Sequence, residues 1–541
     1  MFRLKNYKFF SSFKRRTLFR GAILASIYGV HQLTKKRGFD SLEDEMKLIF
    51  PSISQDNKRV EINNYYQLES LVNSAYRNDV LMKISKIQDT TRENLGISNT
   101  VEEEKPKRRR RFKKYDPDAV EIDITGLSAI KKIHPEDRIC VVEGGIQVSD
   151  LNEALKEHGL MFPTPLFPHK TIMEVINENI LLSDSYKSGA VKNHIEDINL
   201  MTPSSKLVKT GNLTGDDFCY GYHIKDIIVG SHYSLGFITE CTLKLREIRP
   251  YGLLVTVQLD SDSEKDYLNL LRNIRHYDGY ENIIDSIRLY NGSTFVNPAG
   301  KDIDGNKKLI AFYSYTNSEE KQAKVLQDLE KLISKEISGS YTHNVIKFDY
   351  DDYKYTNLTK PEEWRSYHLD CYLPITKVPE ILDLDMPAIR TKFEKGKPQE
   401  VIRESHKAFE NTKYELHLIN NAALLRIFLD CDFHADGKST EGKVVAPKHF
   451  SSSWIDRVTS SVLFKKGVIY AKKEVLDDAD PNLVTRIIGT ESEQIQKEIK
   501  RIFDDKDLLE RKSLFDASHP SLTQRIKDIH PIYNYILSKF L

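Results

Sequence analysis

The sequence predicts an α+β fold, on three observations. Between positions 120 and 159 two short apolar runs, VEIDI at 120–124 and ICVV at 139–142, precede a segment of helical spacing, which reads as strand, turn, strand, turn, helix. Beyond Pro250, helix-spaced segments (264–276 and 319–337) alternate with strand-like ones (285–290, 308–313, 424–430 and 467–470). With 40% hydrophobic residues, 27 Tyr and 24 Phe, the 541-residue chain has apolar material for two or three domains and is no marginal mini-protein.

Each element follows from local spacing. The first 39 residues carry ten Lys and Arg between Arg3 and Arg37 and no acidic residue, interleaved with Phe, Leu, Ser and Tyr. That composition predicts an organelle-targeting presequence, most simply mitochondrial. The apolar run at 21–30 (GAILASIYGV) falls short of the roughly 20 residues needed to span a bilayer. A short interfacial anchor is the competing expectation. It would associate the protein with an organellar membrane through its N-terminus, the endoplasmic reticulum being the alternative to the mitochondrion. Leu68, Leu71, Val72, Ala75 and Tyr76 recur at three- and four-residue steps and predict a helix, followed by a strand at 80–84.

The segment 101–115 (VEEEKPKRRRRFKKY) sets three glutamates beside eight basic residues and reads as an exposed insertion. Lacking the aromatic platforms of a nucleic-acid module, it does not lead to a nucleic-acid partner. Residues 150–158 predict a helix capped by Ser149 and closed by Gly159, with Asn152 as punctuation in its first turn. Strands are expected at 198–201, 207–210, 227–229, 238–245 and 253–259, and a helical pattern begins again at Glu491. Turn-forming pairs stand at Asn291-Gly292 and Asp304-Gly305. The expected organisation is a basic targeting or anchor segment at 1–40, a first domain at 41–249, a second at 250–475 and a helical segment at 476–541.

Eighty Lys and Arg against 79 Asp and Glu leave a net charge of +1, which excludes a polyelectrolyte. The five cysteines are odd in number and never form a CxxC pair, so neither a disulfide framework nor a zinc site is expected, and no metal is.

The common chemical motifs are missing: GxxxxGK[ST], HExxH, GxSxG and a GxGxxG after a strand. What remains is an ordered set of fragments. IDITGL (122–127) is followed by HPEDRICVVEGGIQVSDLNEALKEHGLMFP (134–163) and by Ser183, Ser185, Tyr186, Lys187 and Gly189. HIEDINLMTPSSKLVKTG (194–211) and IIVGSHYSLGFITECTLKL (227–245) complete it. The set resembles the FAD domain of the p-cresol methylhydroxylase and vanillyl-alcohol oxidase superfamily. There a strand-turn-strand leads to V-E-x-G, then a helix and a proline-containing loop, and the last fragment is similar to F-x-G-S-x-G-T-L-G-I-I-T-E.

The resemblance implies a two-subdomain PCMH-type FAD-binding domain followed by an α+β cap domain, with FAD held non-covalently. A diphosphate requires small residues whose backbone N–H groups can approach it and hydroxyls that donate to it. The matching positions are Thr171, Ser183, Ser185 and Ser231 with the backbone at Gly230 and Gly236. Pro168, Gly189 and Ile238 belong to the same fragments, and Thr91 and Arg92 stand in the first loop. His169 lies where some relatives carry a flavin-linked histidine and reads as an ordinary loop residue. Two departures leave retention of FAD open. Met173 and Glu174 stand where the family has a glycine pair, and the first loop KISKIQDTTREN (83–94) contains no glycine.

Within the superfamily the Diminuto-like branch, the Δ24-sterol reductases, is matched in order by Thr90-Thr91-Arg92, the 183–189 fragment, Arg288-Leu289-Tyr290, DYDDY (349–353), DCYLP (370–374) and Ile469-Tyr470-Ala471. The D-lactate dehydrogenase-like branch would show H-x-G-D-x-N-x-H and N-P-G-K, and neither is present. The resemblance thus implies hydride transfer between flavin and a small or apolar substrate, a sterol side chain being the specific expectation. Tyr353 and His368, with Tyr350 and Tyr372, are the proton partners it suggests. The alternatives are a D-lactate-dehydrogenase-like flavoenzyme and a cofactor-poor pseudoenzyme serving as an organellar scaffold.

Overall fold

The computed structural model describes most of residues 42–50, residues 58–85, 119–163, 169–211 and 222–259, parts of 267–295, residues 308–336 and 341–349, most of 367–381 and 413–429, parts of 462–470, and 489–510. The segments 1–40 and 101–115, the Asp304-Gly305 turn and most of the helix expected at 264–276 lie outside the described residues.

A small parallel sheet opens the chain. Strands β1 (Arg59–Glu61), β2 (Met82–Ile84) and β3 (Val120–Asp123) pair in the order β1-β3-β2. Helix α1 (Tyr65–Arg77) connects β1 to β2 and buries Leu68, Leu71, Val72 and Ala75, the spacing that predicted it. Asn64 caps it, its side chain accepting from the Gln67 amide.

The second sheet is antiparallel and comprises β4 (Ile130–His134), β5 (Ile139–Glu143), β7 (Ile195–Met201), β8 (Leu207–Lys209) and β9 (Phe237–Lys244), in the order β4-β5-β9-β7-β8. The short β6 (Leu160–Met161) pairs instead with β10 (Arg246–Glu247). Four helices accompany this half: α2 (Val148–Leu155), α3 (Ile172–Asn177), α4 (Ser185–Ser188) and α5 (Ile224–Ile228). The apolar residues of both sheets and their helices form one core.

At Tyr251 the chain enters an eight-stranded antiparallel sheet. Its strands are β11 (Tyr251–Leu259), β12 (Ser286–Asn291), β13 (Lys308–Thr316), β14 (Tyr341–Asp349), β15 (Tyr367–Leu373), β16 (Lys413–Ile419), β17 (Ala422–Leu429) and β18 (Val468–Tyr470). The order is β14-β11-β13-β12-β16-β17-β15-β18. Alternation along the strands gives it two unlike faces. One presents Ile287, Leu289, Phe312, Leu369, Leu416 and Ile427 to a second core, to which α6 (Glu319–Glu336) adds Val325, Leu329, Leu332 and Ile333. The other carries Ser286, Arg288, Tyr290, Tyr313, Glu415, His417, Arg426 and Asp370 in register.

The chain then returns to its first half. After α7 (Thr490–Phe503) the Met82 amide donates to the Leu508 carbonyl at 2.8 Å and the Glu510 amide to the Met82 carbonyl at 3.0 Å, extending the parallel sheet beside β2. Lys500, 1% exposed, holds this return with bonds to Asp504 (2.7 Å) and the Leu509 carbonyl (2.8 Å).

Two expectations require correction. The helix expected at 150–158 begins at Val148, with Gln147 rather than Ser149 at its cap, because the Val148 amide is already taken by the Lys170 carbonyl. Its closure at Gly159, φ 68°, follows the expectation. Residues 227–229 are not a strand but fall at the end of α5, since three apolar residues cannot distinguish the two periods. Strands β4, β14 and β16 carried no readable signal. The first two are sheet edges with mostly polar faces, while β16 buries Glu415 and His417 where apolar residues are expected.

Candidate functional site: the surroundings of α3 and the polar sheet face

Gly144 and Gly145 bring the strands together where α3 begins. A Cβ on Gly145 would stand 2.0 Å from the Ile124 carbonyl oxygen, and one on Gly144 2.1 Å from that of Ile238. Only glycine permits this backbone approach. The Gly144 and Ile146 carbonyls then accept from the Met173 and Ile172 amides, fixing the start of α3 against the turn.

Thr171 caps α3 in a closed box. Its hydroxyl accepts from the Glu174 amide (3.2 Å) and donates to Glu174 Oε2 (3.1 Å), which also accepts from the Thr171 amide (2.9 Å). Lys170 Nζ lies 3.1 Å from Glu174 Oε1. Met173 and Glu174, each 1% exposed, therefore have structural employment: one fills the core and the other closes its own helix.

The far end of α3 meets the turn Gly230 to Ser234. The Gly230 amide donates to the Ile176 carbonyl and the His232 amide to that of Asn177. Asn177 Oδ1 accepts from the Ser231 hydroxyl (2.9 Å) and the Tyr233 amide (3.2 Å). The Tyr233 phenol donates to Glu178 Oε1 at 2.7 Å. Gly230, His232 and Tyr233 all have positive φ, at 77°, 49° and 64°, and Tyr233 is 1% exposed. At the end of β2 the Glu510 carboxylate accepts from the Ile84 amide at 2.9 Å. Burial raises the Tyr233 phenol well above its ordinary value, reinforced by the negative charges of Glu178, Glu174 and Glu510.

Sequence reasoning missed Tyr233, Glu178, Asn177 and Glu510. The signal for Tyr233 was present in GSHYSLG, which has tyrosine where the resembled pattern has glycine. Of the expected cofactor residues, Thr171, Gly230 and Ser231 meet at α3. Gly236 packs close by, an added Cβ falling 2.5 Å from the Met201 carbonyl, and Ile238 lies in β9 beside Gly144. Ser183, Ser185 and Gly189 lie instead at α4, facing the large sheet. Gly189 closes α4 at φ 76°. Thr91, Arg92, Pro168, Tyr350 and Tyr353 lie outside the described residues. His368 sits in β15 opposite Phe428.

The polar face of the large sheet meets α4. Arg288, 1% exposed, donates through Nη2 to the Ser183 carbonyl (3.0 Å), through Nε to the Ser286 hydroxyl (3.2 Å) and through Nη1 to the Tyr290 hydroxyl (3.4 Å). Its guanidinium lies 4.7 Å from the Tyr313 ring centroid. His417 Nε2 is 2.6 Å from Glu415 Oε1, and Arg426 pairs with Asp370 through two bonds of 2.7 and 2.9 Å. Burial opposes ionisation of Glu415, but His417, Arg426 and Arg288 outweigh it and push its carboxyl down to about 2. Burial lowers the His417 imidazole against the pull of Glu415. Tyr372, at the edge of this face, is pushed up to about 12 by burial and then by Asp370.

This architecture is that of an α+β protein with an FAD-binding domain of the PCMH type: residues 113–211 match the family described as FAD binding domain, and FAD is the cofactor that match supports. Among curated relatives the chain is 31% identical over 133 residues to the mitochondrial D-lactate dehydrogenase [cytochrome] of Arabidopsis thaliana, covering 25% of this chain and 23% of that protein. It is 26% identical over 229 residues to the Kluyveromyces lactis protein of the same name, covering 41% and 38%. The matches thus span a quarter to two-fifths of these relatives. Among solved structures, a carbohydrate oxidase from Microdochium nivale shares the fold at TM-score 0.57 and 11% identity, over 85% of this chain and 91% of that one. An alkyldihydroxyacetonephosphate synthase does so at 0.53 and 14%, over 83% and 75%.

The residue types around α3 fit a dinucleotide diphosphate: two hydroxyls, Thr171 and Ser231, flank it, and beside Gly230 an added Cβ would meet nothing closer than 3.6 Å. Each hydroxyl already has an acceptor within the chain.

Proposed function

We propose that this protein is an FAD-dependent oxidoreductase of the D-lactate dehydrogenase type, acting on a small hydroxy-acid anion, and that it works in the mitochondrion. The observation that carries this reading is Arg288, a buried guanidinium on the polar sheet face that bonds the Ser183 carbonyl of the FAD-matching segment. A buried cation facing the flavin half suits a carboxylate, with which it can form paired charge-assisted bonds. The named relatives point the same way, and two of them are mitochondrial by name. They favour the lactate-type branch over the sterol-reductase expectation. Among the described residues no helix is long and apolar enough to cross a membrane.

When bound, FAD supplies the hydride acceptor. The chain supplies the rest. The buried positive charge of Arg288, its guanidinium plane fixed by Tyr290 and Tyr313, attracts the substrate carboxylate, and His417 takes the hydroxyl proton, its ring held by Glu415.

The test is anaerobic addition of D-lactate or L-lactate to the FAD-loaded protein, and of a Δ24-sterol to the same protein with its flavin chemically reduced beforehand. D-lactate should bleach the flavin band, L-lactate should not, and the sterol should leave the reduced flavin reduced. Arg288→Lys should raise the half-saturating D-lactate concentration about 10- to 100-fold at unchanged FAD content. Return of the flavin band when the sterol meets the reduced protein, with no bleaching by D-lactate, would overturn the substrate assignment. Met173, Glu174 and Tyr233 favour a second reading, the same fold kept as a cofactor-poor scaffold, which predicts a folded protein that never takes up FAD.

A further inference from the structure

Tyr233 stands in an unlikely backbone conformation for its type. A bulky residue at φ 64° is strained, and it follows another non-glycine residue, His232, at 49°. Tyr233 packs in the first core, and core packing by itself does not require a left-handed backbone. Here the conformation is held by two polar anchors, the amide on Asn177 Oδ1 and the phenol on Glu178 Oε1. Both anchors belong to the far end of α3 and the residue after it.

The position of this side chain gives the strain a meaning. Ligands of open α/β sheets bind beyond the carboxyl ends of the parallel strands. In this chain that region is bounded by the end of β2, where Glu510 bonds the Ile84 amide, and by the Gly144-Gly145 turn at α3. Tyr233 is buried within electrostatic reach of Glu174, Glu178 and Glu510, three carboxylates that oppose a diphosphate. Ser231, the hydroxyl nearest in sequence, is turned inward onto Asn177 by the same turn that places the ring.

We infer that Tyr233 is an internal stopper of the flavin-diphosphate cleft: its ring and anchored phenol compete with the cofactor for the space beside α3, so FAD enters by displacing them and is held reversibly. The inference rests on the FAD reading above. Displacement breaks the bonds from the Tyr233 amide to Asn177 and from its phenol to Glu178. Glycine at this position removes the competitor and adopts the left-handed backbone without strain.

The experiment is a titration of the full-length protein with FAD, followed by quenching of flavin fluorescence, for wild type, Tyr233→Gly and Tyr233→Phe. It is paired with hydrogen exchange of amides 231–234. The stopper predicts that Tyr233→Gly binds FAD at least about tenfold more tightly than wild type. Tyr233→Phe, which keeps the ring but loses the phenol anchor, should show a smaller gain, and FAD should speed exchange of the Tyr233 amide in the wild type. Wild type binding as tightly as both variants, with the turn amides slowed by FAD, would overturn the stopper while leaving FAD as cofactor. If no variant binds FAD, the cofactor reading fails and the stopper fails with it. If Tyr233→Gly does not fold, Tyr233→Phe and the exchange of the wild type decide the question.

Discussion

Asn152 shows how one side chain can carry more than its sequence position suggests. It reads as first-turn punctuation of a helix, yet it is 1% exposed and clamps the Phe162 backbone through both amide atoms, accepting from the Phe162 amide (2.8 Å) and donating to its carbonyl (3.0 Å). Asn152→Ala should cost about 2 to 4 kcal/mol in chemical denaturation, because two buried backbone groups lose their partners. A loss under about 0.5 kcal/mol would show that water replaces the amide. His417, Glu415 and His194 set a pH response. Burial lowers both imidazoles, so below the ordinary value of 6.5 the unfolded chain binds more protons and stability falls as pH drops. Glu415, held near 2 against an ordinary 4.5, adds stability above 4.5 that is lost between 4.5 and 2. Melting temperature should therefore decline steadily from pH 7 to 4, and His417→Gln should flatten the upper part of that decline. A profile flat across this range would contradict the assignment.

At the level of elements, α3 is the piece on which the proposed cofactor site depends, and it is fastened by the glycine turn before it. Gly145→Ala would drive a Cβ into the Ile124 carbonyl. Backbone must then move where α3 is fastened, and a destabilisation of about 3 kcal/mol is expected, visible as a lowered denaturation midpoint. The loss of FAD affinity should exceed that of a surface glycine change such as Gly159→Ala, whose added Cβ meets nothing within 4 Å, although its φ of 68° still strains an alanine. Equal behaviour of the two variants would separate the turn from the site. The elements legible in advance were those with unmixed periodicity: α1, β9, β11 and α6. Strand β16 was hidden because Glu415 and His417 occupy buried positions of a pattern that periodicity assigns to apolar residues.

For the whole molecule, the two halves are joined by charge as well as by chain. Arg249 grips the fully buried Asp285 through bonds of 2.6 and 3.1 Å, the Tyr315 amide adds a third at 2.7 Å, and Lys187 of α4 approaches to 3.7 Å. Nearby, Arg246 pairs with the buried Asp184. Asp285→Ala strands these cations and should cost about 3 to 5 kcal/mol. Differential scanning calorimetry should then show two transitions where the wild type shows one, and a single shifted transition would place the coupling elsewhere.

The sequence by itself determined the α+β class and the ordered fragments whose resemblance implied an FAD-binding domain, because glycine turns, short apolar strands and helix caps are local chemistry written in consecutive residues. The departures at Met173 and Glu174 were visible there too, but not their consequence. That Glu174 closes its own helix, that Tyr233 bonds Glu178 while Glu510 bonds the end of β2, and that Arg288, Glu415 and His417 share one sheet face were decided only by tertiary structure. The physical reason is separation: a carboxylate at 510 meets β2 at 84, and a guanidinium at 288 meets a carbonyl at 183, through contacts that no local spacing encodes.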